Sequence, residues 1–271
     1  MTDDDSSTAA DDSGALIKVQ TIHNLRDVGG LSVQTGGRMR SGSVFRSAQL
    51  GERNDTTMAQ LEELGLDAVF DLRSDHEVSL LPDFVPDGVR LQQVDVLADS
   101  DERIAAQLED LFTDPAGAAE LLRSGAVQDH YSSTYRHLVS LPSAKSSYRA
   151  LFSSLAEGQS VLFHCTAGKD RTGWAAASLQ LLLGVALDDV FDHYLASNSE
   201  TLELFGGILR AFEDAGGDTS ALEPVFMVEA MYLESAIDEM TRSFGTIGGY
   251  FSNGLGLSTL QVAALKESLT E

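Results

Sequence analysis

SVLFHCTAGKDRTGWAAASLQLLL, residues 160–183, is the stretch whose reading decides the fold. Ser160 to His164 is a short apolar run preceded by Glu157-Gly158, which predicts a central β-strand. Thr172 to Leu183 sets small and apolar residues at helical spacing and stops at Gly184, so the local order is strand, loop, helix. In α/β proteins a loop that leaves the carboxyl end of a central strand and opens a helix gathers backbone N–H groups and the positive end of the helix dipole. Anions bind there. This loop carries the only cysteine of the chain, Cys165.

Working outward, the pattern repeats. Upstream, Asp67 to Leu72 and Val89 to Val96 are strand candidates, and Thr56 to Leu64 is a helix with polar capping residues before it and Gly65 after it. Ser74 and Glu77 have capping-box spacing, predicting a helical turn after the first of those strands. Leu31 to Thr35 and Val44 to Arg46 flank Gly36-Gly37 and read as a hairpin. The stretches 101–123 and 127–157 are mostly helical, broken at Pro115 and Pro142. Downstream, 187–198, 199–215, 222–243 and 258–269 read as helices, with Gly206-Gly207 interrupting the second and Gly248-Gly249 as a turn within a Gly-rich 245–256. Strands separated by helices imply an α/β fold with a mainly parallel central sheet flanked by helices. Residues 1–13 hold five aspartates and little that is apolar, so they are expected to be a disordered acidic tail, with 14–271 as one domain.

Composition bounds the function. The chain has 271 residues, 43% of them hydrophobic, and a formal net charge of -24. That acidity and the lack of a basic stripe argue against a nucleic-acid partner. No run approaches the length of a membrane span and no secretory signal opens the sequence, so a cytoplasmic protein without an integral membrane segment is expected. One cysteine can form no disulfide within the chain and no multi-cysteine metal site. The histidines at 23, 76, 130, 137 and 193 show no ligand spacing with a carboxylate set, so neither a metal nor any other cofactor is expected.

Cys165 is therefore either core filler or chemistry. A thiol in an anion-binding loop is favoured as thiolate and becomes a nucleophile near neutral pH. Arg171, six residues on, is spaced to fold back over the loop, where its planar fork can grip two phosphate oxygens as a lysine cannot. Gly168 permits a tight loop, and Thr172 offers a hydroxyl to the thiolate. Thr166, Ala167, Gly168, Lys169 and Arg171 are the candidate phosphate-binding residues. Strand alternation turns the His164 side chain to the face opposite Cys165, which makes it a structural hydrogen-bonding group. Arg26 and Asp27 read as an ion pair fixing the turn at Gly29-Gly30, while Arg46, Asp71 and Arg73 stand at strand ends as supporting candidates. Two other classes compete: a redox or sulfurtransferase enzyme, which has no resolving thiol here, and a non-catalytic phosphate-binding module.

The loop HCTAGKDRTG (164–173), with NLRDVGG (24–30), RSAQL (46–50), DLRS (71–74) and GLGL (254–257), resembles cysteine-based protein tyrosine and dual-specificity phosphatases. The form of these motifs is similar to the bacterial branch typified by mycobacterial protein tyrosine phosphatase B, from about residue 17 to the C-terminus. The resemblance implies a phosphatase-type fold and a metal-free reaction through phosphocysteine. It also implies helical segments at 199–243 covering the pocket, and substrates that are phosphorylated proteins or phosphoinositides. It implies that Asp170 is the general acid and later the base, since the larger class carries its acid in a Trp-Pro-Asp loop and the sole tryptophan here is Trp174. Asp71, Asp95 and Asp99 are alternative acids, and Lys169 is expected to meet a second phosphate of an inositide headgroup.

Overall fold

The computed structural model describes residues 22–51, 54–100, 124–214 and 216–271. The acidic tail at 1–13 and the helical reading of 101–123 lie outside the described residues. Five strands form one sheet: β1 (Arg26–Asp27), β2 (Val44–Ser47), β3 (Ala68–Asp71), β4 (Arg90–Gln93) and β5 (Val161–His164), in the order β1-β2-β5-β3-β4. Only β1 runs antiparallel, against β2, so the mainly parallel sheet expected from alternating strands and helices is what forms. β5 lies at the centre with every residue buried, and its register aligns His164 with Ser47 on one side and Asp71 on the other. Those three strand ends therefore share one level of the sheet, and the Cys165 loop leaves from it. A row of carboxyl ends is where an α/β sheet leaves room for a ligand.

Helices cover both faces. α1 (Asp55–Glu63) is capped by Asn54, whose side chain accepts from the Thr57 amide at 2.8 Å. α2 (Asp75–Leu80) opens with the expected capping box between Ser74 and Glu77. α3 (Ala126–Ser140) and α4 (Pro142–Ala156) are separated at Leu141, with Pro142 in the first turn of α4, where its missing N–H costs no helical bond. α5 (Arg171–Leu183) follows the loop and ends at Gly184 in a left-handed conformation. It is buried almost all round; Ala175, Ala176 and Ala177 give neighbours close approach, and Trp174 fills the core and donates to the Tyr250 hydroxyl. Then come α6 (Leu187–Leu195), α7 (Ser197–Asp214), a 3-10 turn Thr219–Leu222, a helical turn Glu223–Phe226, α8 (Ala230–Phe244) and α9 (Thr259–Leu269). No helix among the described residues is long and apolar enough to cross a membrane.

Four local readings change. Gly36-Gly37 does turn the chain, but Ser32 pairs with Arg38, so the returning arm lies near Arg38 and not at Val44 to Arg46. Val44 to Ser47 instead crosses to the interior beside β5, where all four residues are buried. α7 runs unbroken through Gly206-Gly207, because packing of its other residues outweighs the low propensity of two glycines. The helix read across 222–243 is interrupted at Met227–Glu229, where backbone groups turn toward the loop and α7. Finally, Gly248-Gly249 is helical: Ile247–Gly249 is one α-turn capped by Thr246, and Tyr250–Gly254 continues as a π-turn with Tyr250 and Phe251 buried.

Candidate active site

The loop from Cys165 to Asp170 is held from behind by its carbonyls. Asn24 donates from Nδ2 to Ala167 O at 3.2 Å and to Gly168 O at 2.9 Å, and Arg46 donates from Nη2 to Gly168 O at 2.5 Å. Asn24 itself takes a left-handed backbone, φ 57°, which asparagine tolerates better than most residues. Gly168 has φ 68°, and a Cβ there would stand 2.3 Å from Ser47 O, so glycine is required by both conformation and space. With the carbonyls committed, the amides of Thr166, Ala167, Gly168, Lys169 and Asp170 meet no acceptor among the described residues. A run of open N–H groups at a helix N-terminus is a seat for an anion. Cys165 is a free, buried thiol at the start of this seat.

Arg171 is aimed by a residue that the sequence showed only as a helix cap. Glu77 accepts from Arg171 Nη1 through Oε2 and from Nη2 through Oε1, both at 2.7 Å, and Oε1 also accepts from the Thr166 hydroxyl. The carboxylate that closes the capping box of α2 thus grips the guanidinium end-on, through both terminal nitrogens, and fixes its plane. Burial raises the Glu77 pKa, but the bonds and charge of Arg171, with help from Thr166 and the Ser74 amide, hold it well below the ordinary carboxylate range. Burial lowers the Arg171 pKa, and Glu77, Cys165 and Asp170 more than reverse this, so the guanidinium stays charged.

Asp170 sits beside the seat, and its Oδ1 accepts from the Tyr135 hydroxyl at 3.0 Å. Tyr135 and Tyr194 hydroxyls are 2.7 Å apart, so Tyr194 must donate to Tyr135 when Tyr135 donates to Asp170. Burial, reinforced by the Asp170 charge, raises both tyrosines well above their ordinary value, and they remain protonated donors. Thr172 Oγ1 is fully buried with no partner among the described residues, and is a hydroxyl in reserve at the first turn of α5.

The Lys169 ammonium is hydrogen-bonded to backbone carbonyls outside the loop. Its side chain is buried, and Nζ donates to Val225 O at 2.6 Å and Met227 O at 3.4 Å while lying 5.1 Å from the Tyr131 ring centroid. The carbonyls freed where 222–243 is interrupted are its partners, so it ties the loop to the segment at 225–227. Burial also lowers its pKa, which Asp170 and Cys165 partly oppose.

The supporting candidates separate into two groups. Asp71, Arg73 and His164 assemble behind Cys165 with Asp83, which sequence reading missed. Arg73 pairs with Asp71 at 2.8 Å and Asp83 at 2.9 Å, and His164 Nε2 lies 2.9 Å from Asp83 while Nδ1 is 3.3 Å from Cys165 O. His164 thus sits between Asp83 and the Cys165 carbonyl, and both Asp71 oxygens accept from Arg73. Asp99 is likewise committed, accepting from the Ser143 amide at 2.7 Å at the start of α4. Asp95 remains near the site: burial raises its pKa, which the Leu97 amide and Arg171 oppose. The second group corrects the Arg26–Asp27 pair. Asp27 fixes its turn by accepting from the amides of Gly29 and Gly42, whereas Arg26 reaches away to His193 O and Ser197 Oγ.

Among the described residues, two trios bring possible metal-ligand atoms within 4.8 Å of one another, which linear spacing could not show: Asp71 with Asp83 and His164, and His23 with Glu200 and Glu203. The first is already bridged by Arg73. The second is a partly exposed cluster joining the N-terminal segment to α7.

The tyrosine phosphatase family model matches residues 17–271. A Cupriavidus necator protein carrying the name of a tyrosine-protein phosphatase is 30% identical over 244 residues, 89% of this chain and 85% of its own length. The triple specificity protein phosphatase PtpB of Mycobacterium tuberculosis is 30% identical over 266 residues, 90% of this chain and 95% of its own.

Proposed function

This chain belongs to the tyrosine phosphatase family, and from that premise we propose that it hydrolyses phosphotyrosine, with phosphoserine and phosphothreonine as further substrates, through a phosphocysteine intermediate. The observation that carries the reading is the seat at Cys165. Open amides from Thr166 to Asp170 follow the thiol along the loop, and Arg171 is held charged and oriented by Glu77. Such a set stabilises the charge spread over the equatorial oxygens of a transferring phosphoryl group without a metal.

In the first step the Cys165 thiolate forms an S–P bond as the P–O bond to the tyrosyl oxygen breaks, and Asp170 gives its proton to that oxygen. In the second, water loses a proton to Asp170 and forms a P–O bond. The S–P bond breaks, returning the thiolate and releasing inorganic phosphate. Thr172 donates to sulfur as it regains its charge. The triple specificity of the mycobacterial relative supports the wider protein substrate class. The phosphoinositide alternative would need Lys169 to leave Val225 O and Met227 O for a second phosphate.

Cys165→Ser should abolish turnover of a phosphotyrosyl peptide while phosphate or vanadate still binds, and acid quenching of the parent enzyme should trap phosphate on Cys165. A Cys165→Ser enzyme within about tenfold of the parent, roughly 1.4 kcal/mol of barrier, would overturn the mechanism.

A further inference from the structure

Asn24 opens the run NLRDVGG (24–30) in a conformation that weakens the fold on two counts. Its backbone is left-handed, and no other non-glycine residue among those described has a positive φ. Its side chain is 1% exposed, and Oδ1 meets no hydrogen-bond partner among the described residues. A strained residue with an unmet buried amide oxygen, set against a reactive loop, points to function. The other end of the same amide shows which. Nδ2 donates to Ala167 O at 3.2 Å and to Gly168 O at 2.9 Å, while the backbone N–H of Asn24 donates to Glu200 Oε2 of α7 at 3.3 Å. The main chain of Asn24 is thus fixed on α7 and its side chain on the loop.

Each of the four carbonyls from Cys165 to Gly168 has a nitrogen facing it. Cys165 O lies 3.3 Å from His164 Nδ1, Thr166 O accepts from the Gln49 amide at 3.2 Å, and Gly168 O has Arg46 Nη2 beside Asn24. Ala167 O has Asn24 alone among the described residues. In a trans peptide the carbonyl of one residue and the N–H of the next point in opposite directions, and no cis bond occurs among the described residues. Holding Ala167 O therefore turns the Gly168 amide the other way, and holding Gly168 O does the same for the Lys169 amide. Neither amide meets an acceptor among the described residues.

We propose that Asn24 is a positioning residue for phosphoryl transfer: by holding Ala167 O and Gly168 O it aims the Gly168 and Lys169 amides at the equatorial oxygens of the phosphoryl group. The inference deepens the phosphatase reading and rests on it. Donors aimed at developing charge are effective because they are fixed before the reaction begins. Gly168, with no Cβ and φ 68°, is where this loop is freest to turn, so the hold on its amide is needed there most. The Lys169 amide keeps Arg46 as a second hold through Gly168 O, whereas the Gly168 amide depends on Asn24 outright.

Two variants separate the side chain from the backbone. Asn24→Gly keeps the left-handed conformation and the bond to Glu200 but has no side-chain donor; Asn24→Asp keeps the shape and turns acceptor oxygens onto two carbonyls. Each is compared with the parent in kcat/KM on a phosphotyrosyl peptide, vanadate inhibition, thermal midpoint and the Gly168 amide resonance with and without inorganic phosphate. Asn24→Gly should lose about tenfold in kcat/KM and in vanadate affinity with little change in the thermal midpoint, and Asn24→Asp should lose more. Phosphate should move the Gly168 amide proton downfield in the parent and much less in Asn24→Gly. A lowered thermal midpoint with parental kcat/KM and vanadate affinity overturns the proposal and leaves Asn24 a brace between segments. Should neither variant fold, the parent decides: phosphate should shift the Gly168 amide and the Asn24 side-chain amide together, and a Gly168 amide that stays in place overturns the proposal. Failure of the underlying reading is seen separately, as turnover surviving in Cys165→Ser.

Discussion

Asp170 is expected to matter in proportion to how badly the leaving group needs a proton. Asp170→Asn should cost about 100-fold in kcat on a phosphotyrosyl peptide and far less on a phosphate ester with an acidic leaving group. An equal loss on both would move the acid role to Asp95, whose carboxyl remains near Arg171. Tyr135→Phe removes the donor that Asp170 Oδ1 has among the described residues and leaves Tyr194 without its partner, so the carboxyl is held in place less firmly. Turnover of a phosphotyrosyl peptide should then fall several-fold, with little change in the thermal midpoint. Glu77 ties catalysis to stability. Its folded pKa lies below the unfolded value of about 4.3, so the unfolded chain takes up the proton first as pH falls. The stabilisation is complete above the unfolded value and is lost as pH drops through the folded one. Unfolding midpoints measured below about pH 5 should therefore fall more steeply for the parent than for Glu77→Gln, which should already be about 2 kcal/mol less stable at neutral pH. Cys165 and Arg171 were legible because their spacing is fixed by one loop. Glu77 was legible only as a cap, since nothing local announces that Oε1 and Oε2 reach Arg171 in a different element. The Lys169 partners were hidden for the same reason: Val225 and Met227 arrive from 56 and 58 residues away.

The elements repay a different kind of reading. β3, β5, α1, α5 and the capping box of α2 follow from short-range pattern alone, and each appears within a residue or two of its expected bounds. β2 does not, because Val44 to Ser47 owes its place to pairing with β5, a partner more than a hundred residues on. Glycine is ambiguous in the same way. Gly207 lies inside α7 with nothing within 4 Å of a Cβ built there, so Gly207→Ala should raise stability by about 1 kcal/mol, read as a higher thermal midpoint with activity intact. Gly168→Ala is the opposite case. The new methyl would meet Ser47 O and Ala48 N on β2 and the chain after it, at a φ that alanine resists. The loop must then shift, and turnover should fall at least tenfold while the far-UV spectrum is preserved.

Across the whole molecule, the charge of -24 surrounds a small interior region where Arg26, Arg46, Lys169 and Arg171 converge. Screening the outer charge should raise the thermal midpoint between roughly 0.05 and 0.5 M salt, and should raise kcat/KM for a dianionic substrate that must first approach an acidic surface. A fall in kcat/KM over that range would mean that attraction by the site outweighs repulsion by the surface. The molecule also holds one sulfur nucleophile and no second thiol in the chain. Peroxide that oxidises Cys165 to the sulfenic acid leaves no neighbouring cysteine to capture it as a disulfide. Recovery then falls to a thiol from outside, which has to reach a side chain only 2% exposed, or to a backbone nitrogen of the loop itself. Inactivation by oxidant and its reversal by small reductants are set by access to that single atom.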